Sequence, residues 1–235
     1  LPPPRVVEIP PHRFADEVGE DLCMEEAAKY YANILMPLGS VIAKKVDEVV
    51  RLGVDAQIIG PSHGAIWRRN IARIINAYGD WTAFRAKDKV VIVYDTMWQS
   101  TDKIARRLTE LITSAGVEVK LFHLRKDDGS QIVRDILDAK VLLIGSPTLN
   151  ADMFWTVGGF LTYLRGLKPK NKKVGIFGSH GWAGGAVQAI RKECDAMGLS
   201  MVAEPLEIQF VPHAQDDKMI EAFADSVVKA VRENR

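Results

Sequence analysis

The chain has only two cysteines in 235 residues, Cys23 and Cys194, far apart and in no paired motif. That excludes a cysteine-based metal or redox centre, and two isolated thiols fit a reducing, cytoplasmic setting. No apolar run approaches the roughly 18 residues of a membrane span. The opening stretch LPPPRVVEIPPHRF lacks the apolar core of a signal peptide, and its prolines predict an extended segment. An excess of charge of one sign is missing too. Lys and Arg number 31 against 30 Asp and Glu, and the balance holds on both sides of Lys87. Such a surface offers no field for nucleic acid or an anionic membrane, so neither is expected as a partner.

What is present from Lys87 onward is a regular alternation. KVVIVYD, VEVKLFHL, KVLLIGS, KKVGIFG and MVAEPLEIQF read as five strands, β-branched and apolar through their centres. Between them, apolar residues recur at helical spacing: Ile104, Leu108, Leu111 and Ile112; Ile132, Ile136 and Leu137; Phe160, Leu161 and Leu164; Val187, Ile190 and Met197. A last helix runs through Ile220, Phe223, Val227 and Val231. Strands alternating with helices over short connections predict an α/β fold with a doubly wound, five-stranded parallel sheet in the order 2-1-3-4-5 over residues 87–235. Residues 1–86 differ. A helical stripe from Met24 to Leu52 is interrupted by Pro37 and Gly39, which predicts a kink or two helices. A short strand, AQIIG, a turn, PSHG, and an amphipathic helix through Ile71, Ile75 and Trp81 follow. This mostly helical appendage is too small for a sizeable core of its own, so its apolar stripes are expected to cover something else.

Ligands of an open parallel sheet bind at the carboxyl ends of its strands, near the reversal of strand order. Three loops meet there: TMWQST (Thr96–Thr101), SPTLNAD (Ser146–Asp152) and GSHGWAGGA (Gly178–Ala186). The first lies within YDTMWQSTDKIARRL, which holds neither a glycine nor a Walker lysine and so is neither a dinucleotide fingerprint nor a P-loop. It does hold Thr96, Ser100 and Thr101, three hydroxyls at a helix N-terminus, flanked by Met97, Trp98 and Gln99. With first-turn N–H groups and the positive end of the helix dipole, they form a site for a phosphate monoester. The plainer reading, that Ser100 or Thr101 only caps the helix, accounts for one hydroxyl of three. Trp98 and Trp182 come from different loops on one edge and suit stacking on a flat ring. Gly181, Gly184 and Gly185, with Ser179 and His180, allow close backbone approach to that ring. Ser146, Pro147, Thr148, Leu149 and Asn150 supply a stiffened middle loop with polar contacts. A phosphate plus a planar heterocycle, with no second phosphate site, points to FMN before a dinucleotide.

In combination and in this order, the three loops resemble the flavodoxin-like domain of flavodiiron proteins, the flavin- and iron-containing reductases of oxygen or nitric oxide. Upstream, EEAAKYYANILMP, IIGPSHGAIWR and the YGDW segment resemble the end of that family's metallo-β-lactamase-like domain. The resemblance implies a flavodoxin-like fold, FMN as cofactor, an electron-donating redox protein (rubredoxin-like, or a flavin reductase), and a homodimer or an upstream di-iron domain as acceptor. It places His63 at the family's last iron ligand. The other histidines, His12, His123, His180 and His213, lie in no metal-binding pattern, and one imidazole does not hold a di-iron pair. The chain is therefore expected to be a C-terminal piece or one half of a split protein, without a metal site of its own. His180 could tune protonation at the ring edge or simply face water, and His123 is expected to pack at the sheet surface without a chemical role. Two other readings stand beside this one. A free-standing FMN-dependent quinone reductase or flavodoxin-like carrier would need a substrate pocket over the ring. A receiver-type signalling domain would need an aspartate closing the third strand, where Gly145 and Ser146 stand.

Overall fold

A computed structural model describes residues 13–233. The proline-rich opening and His12 lie outside the described residues. The chain divides into two compact units, Leu1–Arg85 and Ala86–Arg235.

In the first unit, α1 (Ala15–Val18), α2 (Glu20–Tyr30), α3 (Gly39–Arg51) and α4 (Ile71–Thr82) carry the structure. Between α2 and α3 the chain stays helical but changes pitch, through a π-helical turn at Tyr31–Leu35 and a 3-10 turn at Met36–Leu38. Pro37 has no N–H to give to the carbonyl four residues back, so the ladder must reorganise around it. The Met36 N–H reaches the Tyr31 carbonyl instead. The interruption expected at Pro37 is thus a change of helix type. The strand expected at AQIIG is not formed. Ile59 makes a single antiparallel bridge to Trp67, with N···O distances of 2.8 and 2.9 Å. Pro61 cannot donate the next hydrogen bond, so the pairing stops there. A small core gathers Ala15, Cys23, Ala65, Trp67 and Ile74. Tyr31 is buried beside it, its ring 5.6 Å from Tyr78 and 5.3 Å from Trp81. Val41, Val49, Val50 and Leu52 of the α3 region remain exposed.

The second unit is a twisted parallel sheet. Its strands are β1 (Lys87–Tyr94), β2 (Glu118–His123), β3 (Ala139–Leu149), β4 (Asp152–Met153), β5 (Lys173–His180), β6 (Ser200–Met201) and β7 (Leu206–Gln209). The order is β2-β1-β3-β5, with β6 and β7 both pairing the far edge of β5. This is the predicted 2-1-3-4-5 arrangement with the fifth strand in two pieces. Residues 202–205 interrupt it, and Pro205 has no N–H for the ladder. A further departure lies after β3, where SPTLNAD was expected to be a loop. The strand instead continues to Leu149 and folds back antiparallel as β4, pairing Leu149 with Asp152 and Thr148 with Met153. The two-residue turn puts Asn150 at φ 52° and Ala151 at φ 58°, as a tight hairpin of this hand requires.

Five helices complete the unit: α5 (Ser100–Ser114), α6 (Gly129–Leu137), α7 (Trp155–Leu167), α8 (Ala186–Ala196) and α9 (Asp217–Arg232). Side chains alternate across β1, so Val90, Ile92 and Tyr94 share one face. They form one core with Ile104, Leu108 and Ile112 of α5 and Phe223, Val227 and Val231 of α9. Val91 and Val93 point the other way, towards the side covered by α6 and α8, and are equally buried. Burial on both faces is why these strands read as unbroken apolar runs. Among the described residues no helix is long and apolar enough to cross a membrane.

Candidate functional site

All three loops emerge at the carboxyl ends of β1, β3 and β5, and the structure ties them to one another. Thr101 Oγ1 of the first loop lies 2.9 Å from Ser179 Oγ of the third. The Ala186 N–H, where α8 begins, donates to Thr148 Oγ1 of the second at 3.2 Å. Gly185 packs against the turn residue Ala151 so closely that a Cβ would lie 2.2 Å from its carbonyl oxygen. Gly185 also sits at φ 150°, where a side chain is strained.

The first loop is held from beneath by the acid that closes β1, a residue to which the sequence alone assigns no part in the site. Asp95 is fully buried at the end of β1. Its carboxylate accepts from the Thr96 N–H at 2.6 Å, from Thr156 Oγ1 at 2.6 Å, and from Arg125 Nε at 2.9 and 3.0 Å. Arg125 also donates to the Thr96 carbonyl. Both backbone groups of Thr96 are therefore engaged. Its hydroxyl is not: Thr96 is 2% exposed, and Oγ1 is buried without a hydrogen-bond partner. His123, expected to pack at the sheet surface, is instead buried in this cluster. Its Nδ1 accepts from the Arg125 N–H at 3.2 Å, and its Nε2 lies 3.7 Å from Asp95. Burial pushes its pKa down, against the pull of Asp95. The reason is positional, because β2 ends one strand away from β1 and brings His123 level with Tyr94.

The turn itself runs Thr96, Met97, Trp98, Gln99. Gln99 adopts φ 70° and precedes α5, and no side chain caps that helix. Neither Ser100 nor Thr101 serves as a cap, and Thr101 commits its hydroxyl to Ser179, so that of the three hydroxyls those of Thr96 and Ser100 are uncommitted. Asp102, in the first turn of α5, is kept from opposing one. Burial raises its carboxyl, but Arg106 at 2.7 Å and the Tyr94 hydroxyl outweigh that and hold its pKa low. Its charge is matched locally.

Trp98 is 82% and Trp182 98% exposed, far outside what indoles in a core show. In the second loop, Ser146 Oγ accepts from the Phe154 N–H at 2.9 Å and itself bonds the Pro147 carbonyl at 2.9 Å. Leu149 is half-buried and Asn150 exposed. In the third loop, His180 Nδ1 is 3.3 Å from the Gly181 carbonyl, which also accepts from Gln209 Nε2 at 3.0 Å. Beyond Gln209, Phe210 is 56% exposed at φ 61°, its N–H on the His180 carbonyl at 2.7 Å. Beneath Gly184 lies Glu207, whose Oε1 is buried and unpartnered. Neither Phe210 nor Glu207 is marked by the sequence as part of this edge, since Glu207 lies in β7 and Phe210 just past its end. His63, in the other unit, is exposed, its ring 5.2 Å from that of Tyr30. Among the described residues no cluster of three or more His, Cys, Asp or Glu could hold a metal ion.

The residues present fit FMN on two observations. A buried hydroxyl without a partner stands in the turn leading to an uncapped helix N-terminus, the donors a phosphate needs, and two exposed indoles stand on loops at the same sheet edge, the surface a planar ring needs.

Comparison with known proteins agrees. The flavodoxin family matches residues 92–223, more than half of the chain. A nitric oxide reductase of Moorella thermoacetica is 46% identical over 205 residues, 87% of this chain and 51% of that protein. Rubredoxin oxygen:oxidoreductase of Desulfovibrio gigas superposes with a TM-score of 0.90 at 34% identity, covering 94% of this chain and 56% of that one. The flavodiiron protein of Giardia intestinalis gives 0.88 at 27%, covering 93% and 54%. The chain thus spans about half the length of the relatives it matches. The chain belongs to the flavodoxin family and is flavodiiron-type, with FMN as its cofactor.

Proposed function

We propose that this chain is the electron-transfer module of a flavodiiron-type oxygen or nitric oxide reductase, taking electrons from a rubredoxin-like protein or a flavin reductase. One observation carries the reading: Thr96 Oγ1 is buried and unpartnered beside the uncapped start of α5, on the edge where two indoles stand exposed. The relative from D. gigas, named for rubredoxin and oxygen, supports the donor and one acceptor, and the Moorella relative supports the other. The acceptor is a di-iron centre on an upstream domain or on the neighbouring subunit of a homodimer, in the cytoplasm.

FMN supplies the redox chemistry when bound, exchanging electrons singly or in pairs. The chain's own residues do the rest. Thr96, Ser100 and the first-turn N–H groups of α5 hold the phosphate. Met97, Trp98 and Trp182 cover the ring and exclude water. Pro147–Asn150 and Ser179–Gly185 would line its polar edge, where backbone N–H groups would donate to ring oxygens and unprotonated ring nitrogens and backbone carbonyls would accept from a ring N–H.

Titration with FMN should quench tryptophan fluorescence to a 1:1 endpoint. Trp182→Ala should weaken binding by roughly tenfold, in keeping with about 1–3 kcal/mol per stacked ring. Full quenching in that variant with unchanged affinity would remove the indole from the site. In stopped flow, reduced rubredoxin should reduce the bound FMN within milliseconds to seconds, while NADH alone should not. Fast direct reduction by NADH would favour the quinone reductase reading instead.

A further inference from the structure

The Asp95 cluster is larger than a loop anchor needs. Asp95 could satisfy the Thr96 N–H alone. It draws in Thr156 from the start of α7, and Arg125 from beyond β2, as a fork. Arg125 Nε lies 2.9 and 3.0 Å from the two carboxylate oxygens, and a terminal nitrogen reaches the Thr96 carbonyl. The same guanidinium lies 5.4 Å from the centre of the Phe154 ring, over its face. The Arg125 backbone is fixed in turn by His123 Nδ1 at 3.2 Å. The peptide groups on both sides of Thr96 are thereby clamped by groups that are not themselves part of the loop. What is left over is the Thr96 hydroxyl.

We propose that Arg125 is a positioning residue for phosphate recognition. Held by Asp95, it fixes the Thr96 backbone so that Oγ1 is aimed at the anion before the anion arrives. This rests on the FMN reading above. The advantage is pre-organisation: a turn without glycine would otherwise lose backbone freedom on binding, and that cost would be taken from affinity. Lysine cannot substitute, because one ammonium does not bond both Asp95 oxygens and the Thr96 carbonyl in a single plane.

Riboflavin, which has the ring but no phosphate, separates this role from general support of the fold. Dissociation constants for FMN and riboflavin are measured by fluorescence titration of the full flavin-free chain. The native chain should bind FMN far more tightly than riboflavin. Arg125→Gln should loosen FMN at least tenfold and change riboflavin less than twofold, and Arg125→Lys should restore little of the loss. Thr156→Val leaves the ion pair intact, and so reports on the cluster even if Arg125→Gln proves too unstable. It should cost FMN about threefold and riboflavin nothing. Equal weakening of both ligands, unchanged FMN binding in Arg125→Gln, or full rescue by lysine would overturn the proposal. A native chain that does not discriminate between the two flavins would instead remove the FMN reading beneath it.

Discussion

Gly185→Ala should unfold the second unit several degrees below the native chain and reduce FMN affinity at least tenfold. A Cβ at this position meets backbone, with the Ala151 carbonyl oxygen at 2.2 Å and its carbon at 2.6 Å. Backbone cannot rotate away as the tip of a side chain can, so the hairpin turn or the α8 N-terminus must move. Overpacking of this kind costs about 1–3 kcal/mol. Alanine at φ 150° adds strain on the order of 1–3 kcal/mol. A loss of about 3 kcal/mol lowers the melting temperature of a unit this size by roughly 6–12 °C. The movement also separates the second loop from the third, because the Ala186 N–H loses Thr148 Oγ1 as it shifts. Differential scanning calorimetry with and without FMN checks both parts. Gly181→Ala is the matched control for melting of the flavin-free chain, since the nearest atom to its Cβ is a Phe210 ring carbon at an ordinary 4.0 Å. If the two variants melt together, the Gly185–Ala151 contact is not what joins the loops.

That contact joins residues 34 apart in the chain, which no local pattern displays. The alternation of strands and helices was legible because sheet burial on both faces leaves unmistakable apolar runs, and helix faces repeat at a different period. Trp98 and Trp182 stand out in the sequence as loop residues because they belong to neither pattern, and both are exposed. The hairpin after β3 was not legible, because β4 pairs only two residues, too few for alternation to register, and Asn150–Ala151 is a turn that Asn-Gly would have announced more clearly. The edge strand was read as one piece across Pro205, although its missing donor was a usable signal. Asp95 was visible as the acid closing β1, but its role depends on Arg125, 30 residues on, and Thr156, 61 residues on. Spacing along the chain does not report such meetings; they follow from the neighbouring ends of β1 and β2 and the start of α7. Those residues gather at the carboxyl edge, whereas Lys89, Asp135 and Asp138 pair at the opposite one.

The opposite edge gives the other large effect. Lys172 is 3% exposed at the start of β5, and Nζ donates to the Leu137 carbonyl at 2.9 Å. Burial lowers its pKa from 10.5 to about 8, with Asp138 opposing the shift and Lys89 adding to it. Asp138 and Asp135 are already engaged by Lys89, Asp138 by Lys87 as well at 2.8 Å, so little negative charge is left for Lys172. Because the folded pKa lies below the unfolded one, the unfolded chain binds more protons between pH 8 and 10.5. Stability therefore rises with pH through that window, and the penalty is fully present below it. A shift of this size corresponds to about 3 kcal/mol at pH 7. Lys172→Met removes the charge but also the Leu137 hydrogen bond, whose unpaired carbonyl costs about 1–3 kcal/mol. The variant should then equal or exceed the native chain by up to about 2 kcal/mol at pH 7 and fall below it by about 1–2 kcal/mol at pH 10. Urea unfolding of the flavin-free chain at both pH values tests this, since groups common to the two chains cancel in the difference. A native-minus-variant difference that does not change between pH 7 and 10 would mean that Lys172 keeps its proton at an ordinary pKa, with the buried charge solvated by more than the Leu137 carbonyl.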